Sequence, residues 1–125
     1  MLAHLLCREG FEVEMTASAR EALGMARRRP FDLFILDVCL PDEDGNSLCR
    51  RLRELDPYAP VIVYSGAVSA SDVEAARQAE ADAFVGKPDN QALLEKVRYF
   101  LVAEELVDGR LAEAANGQPA WRSVE

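Results

Sequence analysis

Three polar residues of the sequence stand at the ends of short apolar runs. Asp37 ends "FDLFILD", Ser65 ends "PVIVYS" and Lys87 follows "DAFVG". A carboxylate, a hydroxyl and an ammonium group suit phosphoryl transfer, because this reaction depends on positioning and on neutralising charge. Burying a carboxylate also costs free energy unless it has a charged or hydrogen-bonding partner or a chemical role. Asp37 is therefore the candidate to accept a phosphoryl group.

The three runs are predicted strands of one parallel sheet. They cover residues 31–37, 60–65 and 82–86 and are nearly continuous in apolar, β-branched or aromatic residues. This pattern is typical of strands that are buried on both faces. Because chemistry in such sheets gathers at the carboxyl ends of the strands, we expect the three polar side chains to lie at one edge.

The stretches between these strands have the apolar spacing of helices. Ser18 and Glu21 have the spacing of a capping box, Asp44 and Ser69 are candidate helix caps, and a further helix begins at Asn90. Strands that alternate with helices predict an α/β fold, a flavodoxin-like doubly wound parallel sheet.

Composition limits the classes of function. The 125 residues suffice for one domain, and the net charge of −8 argues against direct binding of nucleic acid. No apolar run approaches the roughly 20 residues of a membrane span, and the first residues lack the pattern of a signal peptide. The spacing of the three cysteines fits neither a zinc site nor a disulfide framework. Free thiols in a reducing cytoplasm are the better interpretation.

The ordered motifs resemble the receiver domain of two-component response regulators, of the chemotaxis-regulator type. "ILDVCLPDEDG" is similar to the family's strand-ending aspartate, with Pro41 four residues and Gly45 eight residues further on. "VIVYSG" resembles the strand that ends in a hydroxyl switch residue. "EADAFVGKP" resembles the segment with the aromatic switch, the lysine and the proline, here Phe84, Lys87 and Pro88.

The resemblance implies a role for each site residue. Asp37 would take a phosphoryl group from a histidine kinase or a phosphotransfer protein. Ser65 would donate a hydrogen bond to one phosphoryl oxygen, Lys87 would pair with another, and Phe84 would rotate inward as Ser65 shifts. The family's Mg²⁺ would be held by Asp37 and by the backbone carbonyl of Cys39.

The resemblance also implies an organisation and a setting. A receiver domain would cover residues 1–106, followed by a C-terminal helix extension and tail over 107–125, with a frayed helix from Gly109. The domain would be a signalling domain of the bacterial cytoplasm rather than an enzyme, without direct contact to nucleic acid or membrane. It would act on a downstream protein or as a homodimer, through a face that includes Val73, Arg77, Phe84 and Arg98.

The chain departs from the family at its start. The family's first strand and the acidic pair at its carboxyl end, which completes the magnesium site, are missing before "MLAHLLCREGFEV". In the family's strand order 2-1-3-4-5 this strand is central, and its loss would leave unpaired edges. We expect "EVEMT" to pair directly with "FDLFILD", or a second copy of the chain to fill the gap, unless the natural chain begins further upstream and includes the missing strand. The tail, which includes Trp121, is rich in Ala, Glu and Gly and is expected to stay loose rather than to form a strand.

Two other functions remain open at this point. The missing acidic pair suits a degenerate pseudo-receiver, which would bind its partner without phosphorylation. A small hydrolase with Asp37 as covalent nucleophile ranks last, because the position of its second aspartate is occupied by Cys39.

Overall fold

A computed structural model describes residues 2–103 and 120–124, together with the side chains of residues 4–101. Within these residues, no helix has the length and apolar character needed to cross a membrane. A parallel sheet carries helices on both faces. In chain order the elements are α1 (Leu2–Arg8), β1 (Glu12–Thr16), α2 (Ala19–Arg28), β2 (Leu33–Leu36), α3 (Gly45–Leu55), β3 (Val61–Ser65), α4 (Ala70–Gln78), β4 (Ala83–Gly86), α5 (Asn90–Arg98), a π-helical turn (Tyr99–Ala103) and β5 (Ala120–Val124).

The sheet confirms the predicted flavodoxin-like class. Its strand order is β1-β5-β2-β3-β4, and every pair of neighbours runs parallel. Ile35 of β2 pairs with Ile62 of β3, and Ser65 at the end of β3 pairs with Gly86 at the end of β4. The carboxyl ends of β2, β3 and β4 therefore meet at one edge of the sheet.

The C-terminal strand β5 occupies the central position that the family's first strand would take. It pairs along its whole length with β1, from Glu12 with Ala120 to Thr16 with Val124, and on its other side with β2. The expectations of direct pairing between "EVEMT" and "FDLFILD", of a second copy in the gap and of a loose end to the tail are therefore wrong.

Backbone hydrogen bonding explains why a segment of the tail enters the sheet. Without β5, the facing edges of β1 and β2 would leave buried donors and acceptors unpaired, at about 1–3 kcal/mol each. The tail as a whole is poor in strand-forming residues, but the segment that forms β5 contains Trp121 and Val124, which favour strands. The predicted frayed helix from Gly109 lies outside the described residues, and the division at residues 106 and 107 stays a prediction.

Alternating side chains of the strands build two cores. Leu33 and Ile35 of β2 face the layer of α1 and α5, whereas Phe34 and Leu36 face the layer of α2 and α3. This alternation follows from the two-residue repeat of a strand. The first core contains Leu6, Leu33, Ile35, Ile62, Tyr64, Val85, Leu93, Leu94 and Val97, and the second contains Ala19, Ala22, Leu23, Phe31, Phe34, Leu36, Leu48, Cys49, Leu52, Ala59, Val61 and Ala79.

The predicted helix starts are confirmed. Ser18 caps α2, Asp44 caps α3 and Ser69 caps α4, each by accepting a hydrogen bond from a backbone N–H of the first turn. A full capping box is present at Ser69. At α2 the carboxylate of Glu21 instead accepts a hydrogen bond from the hydroxyl of Thr16, at 2.6 Å.

Candidate functional site

Asp37 is the residue directly after β2, at the carboxyl edge of the sheet. Its side chain is 17% exposed, so it is accessible without being fully solvated. Oδ1 accepts a hydrogen bond from the backbone N–H of Cys39 at 3.0 Å, and Oδ2 accepts one from Nζ of Lys87 at 2.6 Å. These two contacts fix the orientation of the carboxylate.

Lys87 reaches Asp37 from the loop after β4. Its backbone N–H donates to the carbonyl of Ser65 at 2.8 Å, which joins this loop to the end of β3. Its ammonium also lies 5.7 Å from the centre of the ring of Tyr64. With 34% of its side chain exposed, Lys87 stays open to an incoming anion while it pairs with Asp37.

Ser65 ends β3 and is almost completely buried, at 1% exposure. Its Oγ accepts a hydrogen bond from the backbone N–H of Ala67 at 3.0 Å. Because a hydroxyl accepts through its lone pairs and donates through its single proton, this bond leaves the O–H able to donate. The sequence predicted the three side chains at one edge, and the structure places the three residues there.

The loop after Asp37 folds back and requires a glycine at its end. The backbone N–H of Gly45 donates to the carbonyl of Val38 at 2.8 Å. A Cβ on Gly45 would lie 2.8 Å from the carbonyl carbon of Asp37 and closer still to its oxygen. No side chain fits there without moving the backbone that carries Asp37. Pro41 lies exposed in this loop.

The acidic turn has a second function that the sequence did not reveal. Asp44 caps α3, as the sequence predicts. Asp42, however, accepts hydrogen bonds from the backbone N–H groups of Ala19, at 2.9 Å, and Arg20, at 3.0 Å. These two bonds lower the pKa of Asp42. No local pattern could have indicated the contact, because the partners are far apart in the sequence.

Phe84 and Pro88 flank the lysine segment. Phe84 is half-buried in β4 and pairs with Val63 of β3. The peptide bond between Lys87 and Pro88 is cis. Phe84 is therefore next to the strand that carries Ser65, in the place where the resemblance expects the aromatic switch.

The described residues do not by themselves fit a magnesium site. Within residues 4–101, no group of three or more His, Cys, Asp or Glu side chains is arranged to hold a metal ion. The carboxylate of Asp37 is paired with Lys87, that of Asp42 caps α2, and that of Asp44 caps α3. Asp37 and the backbone carbonyl of Cys39 would supply two of the six oxygens that Mg²⁺ prefers, and the described residues form no larger carboxylate cluster around them.

Comparison with known sequences gives consistent matches. The profile of the response regulator receiver domain matches residues 1–98. The transcriptional regulatory protein CreB of Escherichia coli is 32% identical over 127 residues, which cover 95% of this chain and 55% of CreB. CseB of Streptomyces coelicolor is 38% identical over 95 residues, which cover 75% of this chain and 40% of CseB. The chain thus spans about half the length of these relatives, or less.

Solved structures of response regulators are also similar to this chain. A CheY-like receiver domain protein from Methanospirillum hungatei has a TM-score of 0.77 and 33% identity, over 83% of this chain and 84% of that one. A response regulator protein from Burkholderia pseudomallei has a TM-score of 0.71 and 30% identity, over 90% of this chain and 65% of that one. The Burkholderia structure contains a phosphorylated aspartic acid, a calcium ion and citrate.

Proposed function

Because the chain belongs to the response regulator receiver domain family, it is a phosphoacceptor domain of two-component signalling, and we propose that Asp37 is the residue that is phosphorylated. The observation that carries this assignment is the 2.6 Å contact between Nζ of Lys87 and Oδ2 of Asp37. A cation held at the carboxylate is the group that an anionic phosphodonor needs at this position.

The proposed reaction is a transfer from phosphohistidine to a carboxylate. A carboxylate oxygen of Asp37 attacks the phosphorus atom, the P–N bond of the donor breaks, and the imidazole leaves with the bonding electrons. The product is an acyl phosphate on Asp37. A histidine kinase or a phosphotransfer protein is the proposed donor, because the family takes its phosphoryl group from such proteins.

In this proposal, Lys87 compensates the negative charge of the incoming phosphoryl group. As the phosphoryl group arrives, the ammonium pairs with one of its oxygens, and the hydroxyl of Ser65 donates to another. Receiver domains generally bind Mg²⁺, but the carboxylates described here do not form a site for it, so we assign no step to the ion.

Phe84 is the proposed conformational switch. It has no hydroxyl, so it can respond to Ser65 only by packing, from its position beside Val63. The proposed output face contains Val73 and Arg77 of α4 with Arg98 of α5. Val73 is an exposed apolar residue, and Arg98 also pairs with Glu9, the residue after α1, at 2.6 Å. A downstream protein or a second copy of the chain would bind there.

The three free cysteines support a cytoplasmic setting.

Phosphorylation can be tested with acetyl phosphate and the intact mass of the protein. We expect one phosphoryl adduct in the unmodified chain and none in Asp37→Asn. Asp32→Asn is the matched control, because Asp32 lies at the amino end of the same strand and should not affect the adduct. An adduct that persists in Asp37→Asn would contradict the assignment.

The same experiment separates the receiver from a pseudo-receiver. A pseudo-receiver would show no adduct with any phosphodonor, and its partner binding would be unchanged in Asp37→Asn. For the output face, Arg98→Glu should weaken self-association or partner binding in light scattering, whereas Glu9→Gln, which removes the same intramolecular ion pair, should not. Unchanged association would contradict that face.

A further inference from the structure

Tyr64 connects Lys87 with the start of α5. It precedes Ser65 in β3 and is 4% exposed. The ammonium of Lys87 lies 5.7 Å from the centre of its ring. On its other side, the hydroxyl of Tyr64 donates to Oδ1 of Asn90, the first residue of α5, at 2.5 Å.

Tyr64 does more than fill space in the hydrophobic core. Its neighbours in the same core, such as Ile62, Val85 and Leu93, are apolar, and an apolar residue could occupy the same volume. A buried hydroxyl costs free energy unless it finds a partner, and Asn90 is the partner. The side chain therefore makes polar contacts both through its ring and through its hydroxyl.

The ring contact restricts a side chain that is otherwise flexible. A lysine has four rotatable carbons and a compact charge, so one ion pair at a partly exposed position holds it weakly. The face of an aromatic ring within about 6 Å attracts an ammonium group. Lys87 is thus held by the carboxylate of Asp37 and by the ring of Tyr64.

We propose that Tyr64 is a positioning residue, which holds the ammonium of Lys87 at the acceptor carboxylate and links its position to the first turn of α5. The inference depends on the proposed roles of Asp37 and Lys87. When a phosphoryl group is added to Asp37, the ammonium moves from the carboxylate to the phosphoryl oxygens. Tyr64 then transmits the change to Asn90, a route separate from the packing of Phe84.

The contact itself can be measured without phosphorylation. The chain has two lysines, Lys87 and Lys96, so selective labelling with ¹³C-lysine gives a simple NMR spectrum. We expect the Hε protons of Lys87 to be shifted upfield of those of the exposed Lys96 by the ring current of Tyr64. The shift should persist in Tyr64→Phe and disappear in Tyr64→Leu. Equal Hε shifts of the two lysines in the unmodified protein would overturn the proposal.

The functional consequence is tested with the rate of phosphorylation by acetyl phosphate. Tyr64→Phe should keep the rate, because the ring remains, whereas Tyr64→Leu should lower it about two- to fivefold. Tyr58→Leu is the matched control, because Tyr58 is 89% exposed, and it should leave the rate unchanged. A rate in Tyr64→Leu equal to that of the unmodified chain would contradict the positioning role.

The link between Tyr64 and α5 can be tested separately, by NMR of the backbone amides. In the unmodified chain, phosphorylation should shift the amide resonances of residues 90–93. Tyr64→Phe lacks the hydroxyl, so these shifts should shrink while the phosphorylation rate is kept. Full shifts in Tyr64→Phe would refute the link. If Asp37 is never phosphorylated in the unmodified chain, the proposed function fails, and the NMR spectrum of the lysines still decides whether Tyr64 holds Lys87.

Discussion

Leu36, the residue before Asp37, pairs in parallel register with Val124 at the end of β5. The strand that carries the phosphoacceptor candidate is thus supported by the last strand of the chain. In the family, the strand at this place comes first in the sequence. The sheet has the family's arrangement although the order of its strands along the chain differs.

Proline in β5 should destabilise the whole domain. A strand with neighbours on both sides has a partner for every backbone N–H, and proline removes one N–H and introduces a clash. We expect Ser123→Pro to lower the free energy of unfolding by about 3 kcal/mol or more. Ser123→Val keeps the N–H and serves as the control in thermal denaturation. Equal melting temperatures for the two variants would show that β5 does not contribute to the stability of the sheet.

Replacing Gly45 or Gly24 with alanine should change the stability of the domain in opposite directions. In Gly45→Ala the new Cβ meets the backbone of Asp37, so we expect a loss of stability of about 1–3 kcal/mol and slower phosphorylation. Gly24 lies inside α2, and apart from the neighbouring backbone of its own helix no atom lies within 4 Å of the place that a Cβ would occupy, so Gly24→Ala should gain about 0.5–1 kcal/mol of stability. Urea denaturation of both variants measures the difference. A stabilising effect at Gly45 would contradict the close approach of the loop.

The cap formed by Asp42 should make stability depend on pH. Hydrogen bonds from Ala19 and Arg20 lower the pKa of Asp42 in the folded state. A carboxyl with a lowered folded pKa stabilises the protein above its unfolded pKa, and this contribution is lost as the pH falls through the folded value. The melting temperature of Asp42→Asn should therefore be lower than that of the unmodified chain at neutral pH, and the difference should shrink in acid. A constant difference across this range would argue against the cap.

Much of the site was predictable because its signals are local. The apolar runs before Asp37, Ser65 and Lys87 indicate buried strands, and a parallel α/β sheet brings the carboxyl ends of such strands to one edge. Helix caps such as Asp44 and Ser69 are also local, since each bonds the backbone of its own helix. These features depend on residue type and spacing over a few positions, which a sequence displays directly.

Tertiary structure decided the contacts between segments that are distant in the chain. The carboxylate of Asp42 caps a helix that begins 23 residues earlier in the sequence, and the ring of Tyr64 lies beside a lysine on another loop. The segment Ala120–Val124 contains two residues that favour strands, Trp121 and Val124, but so short a run does not indicate its place in the sheet. It becomes the central strand because β1 and β2 present unpaired backbone groups on both sides of one gap, and pairing them stabilises the sheet.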